Sequence, residues 1–576
     1  MTISDKIREA RTIGEFPPDR YIVQYKNIGD LLLSQAARFP QREWLAFYSD
    51  ANAGSHEAIT RCSYGEFREL AGQMASLLRS FGIQRGDKVA TVAHNHADTV
   101  IQYFGAWLAG AVVVPINVGE DDKRIGYILK NSDAKIAFVR TEYLERMKRI
   151  ISASSDSIRL VRVGGQLSAA QDPANATESP NHDEFQQSLR GSSPLFPTDV
   201  SLEDEALIVY TSGTTGNPKG VVLTQYNLLA DAKAISEWHG MTPGERMMCV
   251  LPIHHVNGTV VTLLTPLYYG GSVVLNQKFH SAKFFERLAN EKVQVVSVVP
   301  TLLQFLLHEN PDLASYDLSA FRHIICGAGP LTVELAMNFE GRFHLPIVHG
   351  YGLSETTCYS CFLPLDLSPN EHQFWLREHG FPSIGVPLPI NEMSIHDENG
   401  DDVAEGSKGE IVIRGHNVMK EYHANPEANG EAFKFSWFRS GDEGFFRKGE
   451  KGRKYFFITG RIKELIIRGG SNISPFEIDE VLMNIPGVKA GLAVGFENDW
   501  YGEEVGAYVQ LSDGAGLNAE EIIAACRKSF SFAKSPKVVV FGSDIPVTST
   551  GKYQRNRLKP LFAKWKEVQF KEMKSP

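Results

Sequence analysis

Short runs of β-branched and aliphatic residues alternate along this chain with stretches of helical spacing. ALIVY (206–210), MMCVL (247–251), SVVL (272–275), VQVVSVV (293–299) and HIIC (323–326) read as buried strands. Between them, LLADAKAISEW (228–238), FFERLANE (284–291) and TLLQFLLHE (301–309) carry apolar residues at helical intervals. Upstream, YGEFRELAGQMASLLRSFG (64–82) has the pattern of an amphipathic helix and leads into the strand-like GDKVATVA. Such alternation predicts an α/β fold with mainly parallel sheets.

Residues 164–204 are rich in Ser, Asn, Pro and Gly and read as a surface excursion, not a domain boundary. The boundary is expected near 461–463, where a new pattern begins. ELII, a helix from Pro475, strands AGLAVGF (490–496) and VGAYVQL (505–511), a helix near 519–530 and strand KVVVF (537–541) make a compact α/β unit. A chain of 576 residues should hold more than one core, because single cores stop growing near ~250–300 residues. The expectation is a large, multi-subdomain N-terminal domain over 1–461 and a small, mobile α/β C-terminal domain over 462–576.

Composition narrows the class. With 43% apolar and 22% charged residues the chain is ordinary for a globular protein. Its net charge of −9 argues against a general nucleic-acid binder while leaving room for a local basic phosphate site. Cys62, Cys249, Cys326, Cys358, Cys361 and Cys526 are scattered, which suits a reducing compartment. Cys358 and Cys361 form a CxxC without a second pair or a His cluster. Zinc takes about four ligands, so these two read as packed side chains. No secretory signal is visible, and the longest apolar run, Phe104 to Ile116, falls short of the ~20 residues of a membrane helix. A cytoplasmic enzyme without an integral membrane segment is expected, as a monomer or a homodimer.

The strongest local signal is YTSGTTGNPKG (210–220), where a strand runs into a loop and then a helix beginning after Thr224. Glycines let a backbone approach polyphosphate, hydroxyls donate to it, and a lysine supplies charge. It is not a Walker A loop, because Gly220 follows Lys219.

This loop resembles the signature of the adenylate-forming superfamily, which holds acyl-CoA synthetases, firefly-type luciferases and peptide-synthetase adenylation domains. Six further segments follow in family order: LPIHHVNG (251–258), CGAGPL (326–331), HGYGLSET (349–356), SGDEGFF (440–446), GRIKELIIRGG (460–470) and VTSTGKYQRNRL (547–558). The resemblance spans about residues 60–558 and is closest to stand-alone acyl-CoA synthetases. It implies ATP-dependent activation of a carboxylic acid to acyl-AMP, then transfer to coenzyme A, with Mg²⁺ on the ATP.

Residue by residue, the resemblance puts Thr211, Ser212, Gly213, Thr214, Thr215 and Lys219 on the phosphates, with Ser354 where threonine is commoner. Gly327, Ala328, Gly329, Gly350, Tyr351 and Gly352 take the adenine side. Asp442 accepts the ribose hydroxyls, helped by Arg461. Glu355 orients the metal, as a hard cation takes oxygen ligands. Lys552 is the catalytic lysine, bridging acid and phosphate oxygens in the transition state. His255 shapes the acid site and Asn257 lines the acyl pocket. Lys463 is the hinge, and Gly469 and Gly470 face the channel for coenzyme A once the small domain has turned. Two alternatives stay open: a ligase that loads a carrier protein, and a non-catalytic nucleotide-binding regulator. The acid is fatty, aryl or alicyclic.

Overall fold

The computed structural model describes residues 1–50, 58–154, 158–164, 184–211, 217–546 and 553–572. Two large sheets carry the N-terminal part. A seven-stranded sheet orders its strands as Glu421–Tyr422, Lys219–Thr224, Glu205–Thr211, Val112–Ile116, Lys88–Val92, Ala134–Arg140 and Arg159–Val163. A nine-stranded sheet runs from Val386–Pro387 through Cys361–Phe362, Ile347–Tyr351, His323–Cys326, Val295–Val298, Arg246–Cys249, Ser272–Asn276 and Glu43–Ser49 to Ala58–Ser63. The central strands of both are parallel, and antiparallel strands close both edges of the nine-stranded sheet. In the seven-stranded sheet Lys219–Thr224 and Glu421–Tyr422 form an antiparallel end, while Arg159–Val163 closes the other edge in parallel. That is the mainly parallel α/β arrangement the alternation implied.

Helices Tyr64–Ser80 and Ala97–Leu108 pack together in the main core, where Phe67 and Phe104 pack on Trp44 and Trp107 packs on Phe104. The first of them starts where Ser63 and Glu66 exchange hydrogen bonds with each other's backbone N–H, which satisfies two orphan donors.

Two features depart from the sequence reading. The phosphate-type loop does not pass straight into a helix. Its far side is the strand Lys219–Thr224, antiparallel to Glu205–Thr211 with Thr211 opposite Lys219, and only then does helix Gln225–Trp238 begin on the Thr224 cap. The excursion at 164–204 contains a helix, Glu184–Arg190, whose Phe185 and Leu189 are buried and whose Phe185 packs on Phe138.

A third sheet, wholly antiparallel, joins Asn391–His396, Gly409–Gly415, Phe438–Lys448 and Lys454–Arg461. Beyond it, five strands with helices Pro475–Met483 and Ala519–Ser529 build a small unit around its own apolar clusters, one centred on Ile478, Leu482 and Val505 and another on Phe496 and Phe562. This unit leans on the large one. Lys408 reaches Glu477 at 3.1 Å, and the Glu480 carboxylate accepts the Val333 N–H at 3.1 Å. No helix among the described residues is long and apolar enough to cross a membrane.

Candidate active site

Asp442 and Arg461 face each other across the strand pair Phe438–Lys448 and Lys454–Arg461. The Asp442 carboxylate is fully buried. Its Oδ2 accepts the Tyr351 hydroxyl at 2.7 Å, and Arg461 Nε stands 3.0 Å from Oδ1. Beyond this ion pair Oδ1 makes no aligned hydrogen bond among the described residues, so it keeps acceptor capacity for an incoming hydroxyl. Asp442 holds the Arg461 guanidinium firmly charged, with Tyr351, Glu464 and Glu355 contributing. Burial, reinforced by Asp442, pushes the Tyr351 phenol far up, so it stays a donor.

Tyr351 ends the strand Ile347–Tyr351, and the next turn, Ser354–Thr356, carries Glu355. Glu355 is buried, and its Oε1 accepts the Tyr422 hydroxyl at 2.9 Å. Lys219 Nζ lies 4.9 Å from the centre of the Tyr422 ring. Tyr422 thus ties the expected metal carboxylate to the expected phosphate lysine, a contact that no sequence signal pointed to. Thr211 Oγ1 bonds the Lys219 carbonyl at 3.4 Å, closing the base of the loop. Ser212, Gly213, Thr214 and Thr215 lie outside the described residues.

The glycines of this region serve packing. A Cβ on Gly352 would fall 1.8 Å from the Cys358 carbonyl oxygen, and one on Gly350 2.3 Å from the Phe362 ring. Ala328 sits at φ +61°, in the left-handed region, between Gly327 and Gly329. Thr357, just past Glu355, has φ +63° and ψ −55°, and the Cys358 N–H bonds the Thr356 carbonyl at 2.7 Å. That is a strained three-residue γ-turn at a β-branched residue. The Thr357 hydroxyl, which donates to the Asn417 carbonyl at 2.6 Å, helps to hold it.

On the acid side, His255 is half-buried beside His254, their ring centres 4.4 Å apart. Burial keeps His254 neutral, lowered well below the usual imidazole range. Asn257 opens a π-helical stretch, Asn257–Leu264, and is buried. Val260, Val261 and Leu263 are wholly buried. Cys358 and Cys361 are buried free thiols whose titration burial pushes far up, inert packing groups as expected.

In the small unit, Lys463 lies exposed in the turn Ile462–Glu464, directly after Arg461. Gly469 and Gly470 form the two-residue tip between strands Ile466–Arg468 and Ser471–Ile473, both at positive φ. A primed hairpin turn requires this. Lys552 lies outside the described residues. Three residues on, the buried Arg555 gives Nη1 to Asp479 Oδ1 and to the Ala493 carbonyl, each at 2.9 Å. Tyr553 lines a cleft of about 450 Å³ between the two units, together with Gly329, Thr332, His349, Ile458 and Phe476.

Comparison with known proteins follows the same outline. A family model described as AMP-binding enzyme matches residues 32–423, and one described as AMP-binding enzyme C-terminal domain matches residues 477–552. Sulfoacetate–CoA ligase of Cupriavidus necator is 32% identical, over 93% of this chain and 97% of its own length. Long-chain-fatty-acid–CoA ligase of Bacillus subtilis is 29% identical, over 95% of this chain and 97% of its own. The crystal structure of ATP-bound MatB from Rhodopseudomonas palustris is 25% identical with a TM-score of 0.79, over 93% of this chain and 99% of that one.

Proposed function

This chain belongs to the AMP-binding enzyme family and is an ATP-dependent, AMP-forming acid–CoA ligase; from that premise we propose how its residues divide the work. Asp442 Oδ1 and Arg461 hold the ribose, and Tyr351 with the Gly327–Gly329 loop holds the adenine. Lys219 and the loop 211–215 hold the phosphates. Glu355 would hold Mg²⁺. It fits, being a buried carboxylate bonded through Oε1 to Tyr422, and Mg²⁺ on a nucleotide takes one or two protein carboxylates. The cation would neutralise phosphate charge.

Carboxylate attack on the α-phosphate joins two anions, and an ammonium aimed at the developing charge lowers that barrier more than it stabilises the ground state. Lys552 fills this role. One observation carries the assignment: Tyr553, its immediate neighbour, lines the same cleft as Gly329, and Arg555 pins the segment to helix Pro475–Met483. His255 borders the acid site. An acid is already ionised at neutral pH and needs no general base.

The division into domains at 461/462 rests on the separate apolar clusters on either side. For the second half-reaction the small domain turns about Lys463, carrying Lys552 away and bringing Gly469 and Gly470 to the channel for coenzyme A. Support comes from the exposure of both glycines at the tip of their hairpin. The cytoplasm suits a chain whose six cysteines are all free.

The test is to follow both products with an accepted acid. Pyrophosphate release should need ATP and acid only, whereas AMP release should need coenzyme A. Release of AMP at the same rate without the thiol would count against the two-step order.

A further inference from the structure

Residues 416–423 link the Glu355 turn to the strand that Lys219 begins, and side chains hold them along their length. Asn227, half of the box that caps helix Gln225–Trp238, gives Nδ2 to the His416 carbonyl at 2.9 Å and the Val418 carbonyl at 3.0 Å. Asn417 Nδ2 donates to Asp231 Oδ1 at 3.0 Å and to the Tyr359 carbonyl at 2.8 Å. At one end the Met419 N–H holds the Glu355 carbonyl at 2.8 Å. At the other, Glu421 and Tyr422 pair with Val222 and Val221 of strand Lys219–Thr224. Asn429 fixes the Tyr422 backbone, its Oδ1 accepting the N–H at 2.7 Å and its Nδ2 donating to the carbonyl at 3.1 Å.

Tyr422 is therefore held rigidly between two opposite charges. Its hydroxyl donates to Glu355 Oε1 at 2.9 Å, and Lys219 Nζ stands 4.9 Å from the centre of its buried ring. Burial, reinforced by Glu355, pushes the phenol far up, so it remains a donor. A carboxylate and a flexible ammonium this near would ordinarily close into an ion pair. Among the described residues neither Lys219 nor Glu355 is in one. We propose that Tyr422 is a positioning residue, a spacer that keeps Lys219 and Glu355 from neutralising each other before the nucleotide arrives.

This rests on the ligase reading above and deepens it, since those two groups are the ones assigned to the metal and the phosphates. The two parts of the phenol answer one charge each. The O–H satisfies a carboxylate oxygen that would otherwise attract the lysine. The ring face attracts the ammonium without bonding it to an oxygen, so a phosphate can take it over. Phenylalanine would keep the ring and lose the donor, and the freed Glu355 oxygen would draw Lys219 off the ring.

The experiment measures Mg·ATP binding to the full-length enzyme by calorimetry, without acid, so that no turnover occurs. Tyr422→Phe should weaken binding at least about tenfold, the worth of one hydrogen bond to a charged group. Lys219→Gln has no ammonium to collapse onto Glu355, so there the same Tyr422→Phe change should cost less than about twofold. Equal losses in both backgrounds, or no loss in either, would overturn the proposal. A second readout leaves Tyr422 untouched. Amines react with acylating reagents as the free base, and a paired carboxylate keeps them protonated. The labelling rate of Lys219 in nucleotide-free enzyme, read by mass spectrometry, should therefore differ by less than about threefold between wild type and Glu355→Gln. A larger rise in Glu355→Gln would mean that the pair is already closed, and would overturn the spacer whether or not Tyr422→Phe folds. A wild type that binds no Mg·ATP would overturn the ligase reading, and the proposal with it.

Discussion

The Glu480 contact between the two units can be tested through its charge. Glu480 Oε1 accepts the N–H of Val333, the first residue of helix Val333–Phe343, whose own cap is Thr332. Burial, with Glu334 nearby, raises the Glu480 carboxyl to about 7 from an ordinary 4.5. The docked arrangement therefore binds a proton more tightly than a released, solvated Glu480 does. Its advantage is complete below pH 4.5 and declines as pH rises to about 7. The full shift of about 2.5 units corresponds to ~3 kcal/mol. Part of the side chain stays wet, which cuts this to ~1–2 kcal/mol, and attraction to the helix N-terminus returns ~0.3–1. The net is about 1 kcal/mol against docking at pH 8, roughly a fivefold change in the ratio of docked to released domain. Glu480→Gln keeps an oxygen for Val333 and removes the charge. At pH 8 it should slow thioester formation from supplied acyl-AMP and coenzyme A about fivefold while leaving acyl-AMP formation at least as fast. At pH 5.5 it should approach the wild type in both half-reactions. Equal changes in both half-reactions, or a difference independent of pH, would refute the argument.

Asp442→Asn preserves shape and removes the charge that binds the ribose and Arg461. Hydrogen bonds to charged groups are worth ~1.5–3 kcal/mol, so KM for ATP should rise about 10–100-fold in steady-state assays with the KM for the acid little changed. The buried pair His239–His323, nitrogens 2.9 Å apart, is kept neutral by burial, His323 at about 4. Both bind protons more readily when unfolded, so stability is complete above about pH 6.5 and falls as pH drops toward 4. Asp231, raised to about 8 by burial, works in the opposite sense. The comparison is therefore wild type against His323→Gln by denaturant titration at pH 7 and pH 5, where the variant should lose less stability on acidification.

Strands with continuous apolar runs, such as His323–Cys326, were legible because full burial on both faces leaves an unbroken signature. Lys219–Thr224 was hidden because its GVVL follows a loop motif and precedes a helix cap, and its pairing with Glu205–Thr211 is a tertiary choice. The helix Glu184–Arg190 escaped because its apolar face is two residues, Phe185 and Leu189, within a polar stretch.

The residues proposed for the nucleotide were named from motifs that keep residue type and order together. Tyr422, Arg555 and Glu480 were not, since each acts through a partner distant in sequence: Tyr422 on Glu355, Arg555 on Asp479 and Glu480 on Val333. The strain at Thr357 was equally silent, because a positive φ at threonine is imposed by Asn417 and the turn's neighbours rather than by the residue itself.

The most direct measurement assays Lys552→Ala in each half-reaction separately. Acyl-AMP formation from ATP and acid should fall at least ~10²–10³-fold, while supplied acyl-AMP and coenzyme A still give thioester at close to the wild-type rate. A folded variant that loses both half-reactions equally, or neither, would contradict the assignment of one swinging lysine to the first step alone.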